Sequence, residues 1–364
     1  MKSLSIMIKP ASSLCNMRCK YCFYTDEAQL RETKSFGIMS VEKAHTLIDN
    51  VLEQLSDGDN LTFAFQGGEP TLAGCEFFRS FIEYTEKNRR QININWVLQT
   101  NGTLLDDKWC TLLAKNRFLV GLSYDLLPDV NDSARVDIKG MPTTKSVQNA
   151  IMLLDRHSID YNILCTLTEP LAKHPQKVWN TIIKNKIKYI QFTPCLDGLE
   201  ENKKNLWALK PSTFAHFYIT LFKKWLDEFK KDNYISVKLF DDYVNYIAHG
   251  RLGACGLNGN CQPQIIIESD GSTFPCDFYC LDEYKLGNIF EDSLQELYKK
   301  SYESARKRSR PGILCQDCRY LNFCGGGCIR MRHSVCFKDS DSVCGIKTFL
   351  DSCGTELAEI AKYQ

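Results

Sequence analysis

The sequence has no excess of charge of either sign: Lys and Arg number 45, Asp and Glu 44, for a formal net charge of +1. A chain so balanced carries no global field for nucleic acid or an anionic lipid surface, so neither is expected as a partner. Long hydrophobic runs are missing too. A stretch such as 118–122 is far too short to span a bilayer. Near the N-terminus, Lys9 and Pro10 interrupt too early for a signal-peptide core, and a cytoplasmic location is expected. There is no internal repeat and no low-complexity tract. With 44% hydrophobic and 24% charged residues, a largely disordered chain is excluded. The 364 residues suffice for two domains, or for one large barrel with an appendage.

What the chain does have is cysteine, 18 residues of it. Secreted disulfide scaffolds are short and far denser in cysteine, whereas clustered thiols in a long chain without an export signal point to metal. Short apolar runs at 4–8, 61–65, 94–99, 118–124, 161–167 and 189–193 read as strands. Between and after them, amphipathic stretches at 41–55, 76–88, 107–114, 144–156, 175–184 and 211–230 read as helices, with Ser40 and Asp106 as N-caps. Six repeats of strand then helix predict an α/β fold with a parallel sheet, an open or partial (β/α)6 TIM-like barrel, with chemistry at the C-terminal strand ends. After about residue 240, helical periodicity fades and Gly and Cys become frequent. The expected division is therefore 1–235 and 236–364, with a hairpin at 264–268 and 273–275 turning through Asp270-Gly271, and a closing helix at 348–361.

Three groups of residues carry chemistry. Cys15-x3-Cys19-x2-Cys22 follows the first strand, and three thiolates on one loop can hold three corners of a cubane iron–sulfur cluster, leaving one iron open. Structural zinc wants four ligands, and no fourth lies nearby. The second strand ends in Gly67-Gly68-Glu69-Pro70, where two glycines let the backbone approach a ligand and Glu69 or local carbonyls can accept from an ammonium. In the C-terminal part, Cys255, Cys261, Cys276, Cys315, Cys318, Cys324, Cys328 and Cys344 supply eight thiolates, enough for two four-iron clusters or two zinc sites.

The first triplet, with Tyr21 inside it and Phe23 after it, resembles the signature of the radical S-adenosylmethionine (SAM) superfamily, and Gly67-Gly68-Glu69 resembles that family's SAM-binding GGE motif. The resemblance implies that Tyr21, Gly67, Gly68, Glu69, Ser123, Arg135 and Leu196 contact SAM. The later cysteines resemble a SPASM extension carrying two auxiliary clusters. By that likeness Cys255, Cys261, Cys276 and Cys328 hold the first, and Cys315, Cys318, Cys324 and Cys344 the second, with Cys353 the rival of Cys344. Three [4Fe-4S] clusters and SAM are thus the implied cofactors. The stretches 8–13, 22–24, 65–74, 98–103, 268–271, 275–279 and 286–289 further resemble anaerobic sulfatase-maturating enzymes.

That resemblance implies oxidation of a Cys or Ser in an unfolded or nascent sulfatase to Cα-formylglycine, by hydrogen abstraction from Cβ with a 5′-deoxyadenosyl radical. An electron donor such as ferredoxin or flavodoxin is implied with it. Asp277 resembles the base, and Tyr24, Gln66 and Gln99 are placed to position the peptide. The alternative within the superfamily is a SPASM maturase that forms a thioether or other crosslink, or epimerises a residue. One departure stands out. Where the family reads Ser-Met-Asp-Gly-Pro, this chain has Ser123-Tyr124-Asp125-Leu126-Leu127-Pro128, which replaces a glycine by a bulky residue.

Overall fold

The computed structural model describes residues 3–200, 205–309, 311–312, 315–337 and 343–364. Ten strands follow in chain order: β1 (Ser3–Lys9), β2 (Asn60–Phe65), β3 (Asn93–Thr100), β4 (Leu119–Ser123) and β5 (Tyr161–Leu167). Then come β6 (Tyr189–Pro194), β7 (Ser236–Val237), β8 (Ile265–Glu268), β9 (Ser272–Phe274) and β10 (Gly287–Asn288). The chain forms two compact units. The first comprises Met1–Ser123, Arg135–Tyr161 and Pro263–Ala305; the second comprises Tyr124–Ala134, Asn162–Gln262 and Arg306–Gln364. These units and the sequence division at 235/236 partition the chain differently, because residues 263–305 return to the N-terminal strands.

In the first unit the strands lie in the order β10-β9-β8-β1-β2-β3-β4. β1 to β4 are parallel neighbours, as their crossover helices Val41–Glu53, Cys75–Asn88 and Asp107–Lys115 require. Both expected caps are in place: Ser40 Oγ accepts from Lys43 N, and Asp106 Oδ1 from Trp109 N at 2.8 Å. Rings of Phe63, Phe65, Phe78, Phe81, Trp96 and Phe118 pack against one another in offset-stacked, tilted and edge-on pairs to fill the core. The hairpin β8–β9 does form, but it does not stand alone. β8 adds in parallel to β1, pairing Lys9 with Glu268, and so continues the barrel-type sheet rather than starting a new one.

In the second unit β5, β6 and β7 are parallel, with the helices Pro175–Lys184 and Pro211–Phe229 between them. The closing helix Gly345–Ala361 packs on Pro211–Phe229, and Tyr218, Phe222, Phe240 and Phe349 meet there. Two helices lie where periodicity was expected to fade, Lys238–His249 and Leu294–Arg308. The first buries Phe240, Tyr243 and Val244 at helical spacing, a stripe that the interleaved Asp and Asn residues mask in the sequence. The second is so polar that only Leu294, Leu297, Ser301 and Ala305 are buried. Among the described residues no helix is long and apolar enough to cross a membrane.

The Leu126 departure has a structural answer. Leu126 is fully buried and takes φ +61°, the left-handed conformation that a glycine in the family pattern would adopt freely. Leu126 thus holds a left-handed backbone conformation with its side chain buried.

Removing the Asp106 cap by Asp106→Ala should cost about 1 kcal/mol, read as a lowered urea midpoint at unchanged slope under anaerobic conditions.

Candidate functional site

The first unit gathers one set of candidate residues around the end of β1. Cys15, Cys19 and Cys22 lie on the loop after it, and Cys22 is the N-cap residue of the helix Phe23–Leu30. The loop is held by its own atoms: Cys22 N donates to Cys19 O at 3.2 Å, and the Arg18 guanidinium donates to the carbonyls of Cys15 and Met17. Met17 N donates to Cys15 Sγ at 3.4 Å. Burial nonetheless pushes the Cys15 thiol up to about 11.

The Gly67-Gly68-Glu69 turn clasps this loop from below. Gly68 N donates to Ser12 O and Glu69 N to Leu14 O, at 2.9 and 2.8 Å. A Cβ on Gly68 would stand 2.1 Å from Leu14 O, so only glycine permits the approach. The Glu69 carboxylate is buried. It accepts from Thr71 N and Oγ1, Thr100 Oγ1 and Asn101 N. Burial raises its pKa, and these donors oppose the rise. Asn101 in turn donates to Asn16 Oδ1 at 2.9 Å, tying the end of β3 to the cysteine loop. Sequence reasoning overlooked this brace, whose signal was Thr100-Asn101-Gly102 directly after a strand.

Arg135 and Tyr21 are also brought together, the guanidinium lying over the ring at 5.4 Å, and Arg135 is buried. Ser123 ends β4, half-buried. Leu196 lies in the second unit, buried, its carbonyl accepting from Asn205.

Asp277, Tyr24 and Gln66, distant in sequence, converge. Tyr24 OH donates to Asp277 Oδ2 at 2.6 Å. Gln66 Nε2 lies 2.9 Å from the same oxygen and 2.6 Å from the Tyr24 hydroxyl. Gln99 does not join them; it is half-buried on β3 opposite Gly121, and among the described residues no hydrogen bond links it to the trio. Beneath the trio lies a buried charge cluster absent from the sequence-based expectations. Lys9 Nζ is 3.1 Å from Asp277 Oδ1, 3.7 Å from Glu27 Oε2 and 3.8 Å from Glu268 Oε1, and it sits under the Tyr24 ring. It also donates to Cys280 Sγ at 3.2 Å. Arg31 completes the cluster against Glu268 and Glu27. Burial works against the Lys9 charge, but Cys280 and the carboxylates of Asp277, Glu27 and Glu268 outweigh it and hold the ammonium well above the ordinary lysine range. Burial also pushes the Glu27 carboxyl up to about 7, with Lys9 and Arg31 opposing.

Cys276 lies in the first unit, immediately before Asp277. The other seven candidate ligands of the late group are in the second unit, and Cys280 is in the first. Burial raises the Cys255, Cys328 and Cys324 thiols, and neighbouring sulfurs add to the rise: Cys261 beside both Cys255 and Cys328, and Cys344, Cys315 and Cys318 beside Cys324. The loops carrying the first set touch through glycine: a Cβ on Gly259 would stand 2.3 Å from Gly325 O. Cys255, Cys328 and Cys336 face a cavity of about 110 Å³, otherwise walled by Phe192, Tyr218 and Met331.

Backbone N–H groups face five of these thiols. They point at Cys255 from Gln262, at Cys315 from Gly312, at Cys324 from Gly326, at Cys328 from Arg330 and Met331, and at Cys344 from Ile346 and Lys347. With Met17 at Cys15, that is the donor pattern an iron–sulfur thiolate shell uses. Cys353, by contrast, is sealed inside the closing helix, and burial pushes it up to about 12. Cys336 was not anticipated. Its thiol bonds to Cys344, and that bond brings Cys344 down to about 6. Among the described residues no group of three or more His, Cys, Asp or Glu side chains is closed up as for a metal ion.

Two stretches match known families: residues 10–175 the radical SAM superfamily, and residues 259–319 an iron–sulfur cluster-binding domain. The cysteine-type anaerobic sulfatase-maturating enzyme of Clostridium perfringens (strain 13 / Type A) is 41% identical over 94% of this chain and 92% of its own length. A serine-type counterpart from Bacteroides thetaiotaomicron is 29% identical, covering 92% and 84%. Among solved structures, native anSMEcpe with bound AdoMet and the Kp18Cys peptide superposes with a TM-score of 0.90 at 37% identity, over all of both chains.

Two substitutions probe the charge cluster. Lys9→Met leaves buried carboxylates without their cation and should destabilise the fold by about 3–5 kcal/mol in anaerobic denaturation. Because the Glu27 carboxyl is raised from 4.5 to about 7, the stability it contributes is complete below pH 4.5 and is lost as pH rises through 7. Glu27→Gln should therefore show a smaller drop in urea midpoint between about pH 5 and about pH 8 than the parent chain.

Proposed function

Because the chain belongs to the anaerobic sulfatase-maturating enzymes of the radical SAM superfamily, we propose that it oxidises a cysteine side chain of a sulfatase polypeptide to Cα-formylglycine. The observation that carries this reading is the convergence of Tyr24, Gln66 and Asp277 over Lys9, in the unit that also holds the three-cysteine loop. Cysteine is favoured over serine as the target because the cysteine-type relative is the more similar of the two, at 41% against 29% identity.

The residues fit the implied cofactors. Cys15, Cys19 and Cys22 would hold a [4Fe-4S] cluster with one iron left for SAM, and Met17 N already aims at one of the sulfurs. Carbonyls of Gly67 and Gly68 would take the SAM ammonium, on a turn that Glu69 locks; Ser123, Arg135, Tyr21 and Leu196 would complete its pocket. Cys255, Cys261, Cys276 and Cys328 would hold one auxiliary cluster, and Cys315, Cys318, Cys324 and Cys344 the other. The first-strand and GGE residues then belong to a SAM-binding part, 1–235, and the later thiols to an auxiliary-cluster part, 236–364.

Held by those residues, the cluster and SAM would supply the 5′-deoxyadenosyl radical needed to take a hydrogen atom from the substrate Cβ. Asp277 accepts the thiol proton. Its Oδ2 is held by Tyr24 and Gln66 and its Oδ1 faces Lys9, so the carboxylate is fixed before the substrate arrives. Loss of that proton and of one electron from the Cβ radical would leave a thioaldehyde; the auxiliary cluster that Cys255, Cys261, Cys276 and Cys328 would hold, beside Asp277 in sequence, would supply the one-electron acceptor. Water converts it to the aldehyde with release of hydrogen sulfide. The substrate is read as an unfolded or nascent sulfatase segment in the cytoplasm, with a ferredoxin or flavodoxin as electron source and Gln99 as a further contact for the peptide.

The test is the anaerobically reconstituted protein with SAM, reductant and a peptide containing Cys-x-Pro-x-Arg. An aldehyde trapped by hydrazine is the expected product, and the Ser peptide should react more slowly. Asp277→Asn should lower aldehyde formation by about 100-fold or more while 5′-deoxyadenosine is still made. Deoxyadenosine without any aldehyde in the parent protein would move the substrate elsewhere. Iron content gives an independent check: about twelve atoms per chain, about four fewer in Cys344→Ala, and no loss in Cys353→Ala.

A further inference from the structure

Beside the three-cysteine loop the first unit carries a small hairpin that the proposed chemistry does not use. Val136 bridges Pro142, and Met17 of the cysteine loop bridges Asp137. Arg18 N donates to Val136 O at 2.7 Å, so the hairpin and the loop are one piece. The turn is stiff. Asp137 N donates to Met141 O, Gly140 N donates to Asp137 O, and Asp137 Oδ1 accepts from both Lys139 N and Met141 N. An Asp that caps its own turn spends its charge on those amides.

At the tip stand two apolar side chains in water: Ile138 is 61% and Met141 57% exposed, with Leu14 of the cysteine loop at 39%. The charge around them is one-sided although the whole chain is balanced. Residues 10–25 and 135–154 contain Arg18, Lys20, Arg135, Lys139 and Lys145, with Asp137 the one acid. Arg18, Lys20, Lys139 and Lys145 are exposed. Exposed apolar side chains on a hairpin joined to the loop that would hold a redox centre, with exposed cations carried by both segments, suit a transient encounter of small area. Such complexes are steered by charge and seated by a few apolar contacts.

We propose that the hairpin 136–142, with the exposed face of the loop 14–20, is the docking surface for a small acidic one-electron carrier protein. The assignment rests on the function proposed above, since it gives that surface its purpose. In the step it serves, one electron leaves the carrier, which is oxidised by one equivalent, and the cluster assigned to Cys15, Cys19 and Cys22 is reduced by one. No bond forms or breaks. Short reach is the physical reason for the location: the Met17–Asp137 bridge and the Arg18 N–Val136 O bond join the docking hairpin to the cysteine loop, so a carrier seated there lies next to the electron's destination.

The test uses the reconstituted holoenzyme, a purified acidic flavodoxin as the probe, and the double variant Ile138→Ser with Lys139→Glu. Flavodoxin binding, followed by fluorescence anisotropy, should weaken about tenfold in the variant and should fall with added salt in the parent protein. Flavodoxin-driven 5′-deoxyadenosine formation should drop about as much, while dithionite-driven turnover of the Cys peptide stays unchanged. Equal flavodoxin binding by variant and parent overturns the proposal. So does a raised KM for the peptide under dithionite, because the hairpin would then be a substrate contact. If dithionite gives no aldehyde even in the parent protein, the proposed function fails, and flavodoxin binding still decides the docking surface by itself.

Discussion

Five charged side chains sealed away from water decide how the first unit is put together. Lys9 ends β1, Glu27 and Arg31 lie one turn apart on and just after the helix Phe23–Leu30, Glu268 ends β8, and Asp277 follows the hairpin. None of these groups tolerates burial alone. Each finds its partner only when the first strand, the segment after the cysteine loop and a segment more than two hundred residues later are assembled together. Three acids against two bases leave one negative charge in excess; burial raises the Glu27 carboxyl, the Asp277 charge adds to the rise, and Lys9 and Arg31 oppose it. The same constraint sets the site. Tyr24 precedes Glu27 by one helical turn, Gln66 follows β2 beside β1, and Asp277 rests on Lys9, so the trio inherits its geometry from the ion cluster below it.

Much of this was legible in the sequence, and the limits have physical causes. The parallel strands and their helices were visible because apolar runs of strand length alternated with helical stripes. The helices 144–156 and 175–184 agree with the structure to the residue. The late hairpin was visible through Asp270-Gly271, yet its attachment to β1 was not, since strand pairing across 260 residues leaves no local signal. Tyr24, Gln66 and Asp277 were singled out individually by resemblance. That they form one hydrogen-bonded group depends on topology. Lys9, Glu27, Arg31 and Glu268 look like ordinary surface charges in the sequence, because nothing local marks a charge as buried.

The thiols make the same point from the other side. Eighteen cysteines look alike in composition, and spacing sorts only the close ones. The structure adds what faces the sulfur. Backbone N–H dipoles point at Cys15, Cys255, Cys315, Cys324, Cys328 and Cys344, whereas Cys353 is buried on the closing helix. Amide dipoles stabilise a thiolate, and burial stabilises a thiol. A sulfur's neighbours therefore carry information that counting cannot.

The parallel seat of β8 against β1 also bears on how the chain is made. A ribosome releases β1 early and β8 some 260 residues afterwards, about 10–50 s later at ordinary rates of synthesis. Through that interval one edge of β1 has no neighbour, and Lys9 has neither Glu268 nor Asp277. An open strand edge invites association with other chains. The nascent polypeptide thus carries an unpaired β1 edge until nearly three quarters of it has emerged, and iron delivered to the first cysteine loop before then would meet a half-built cradle.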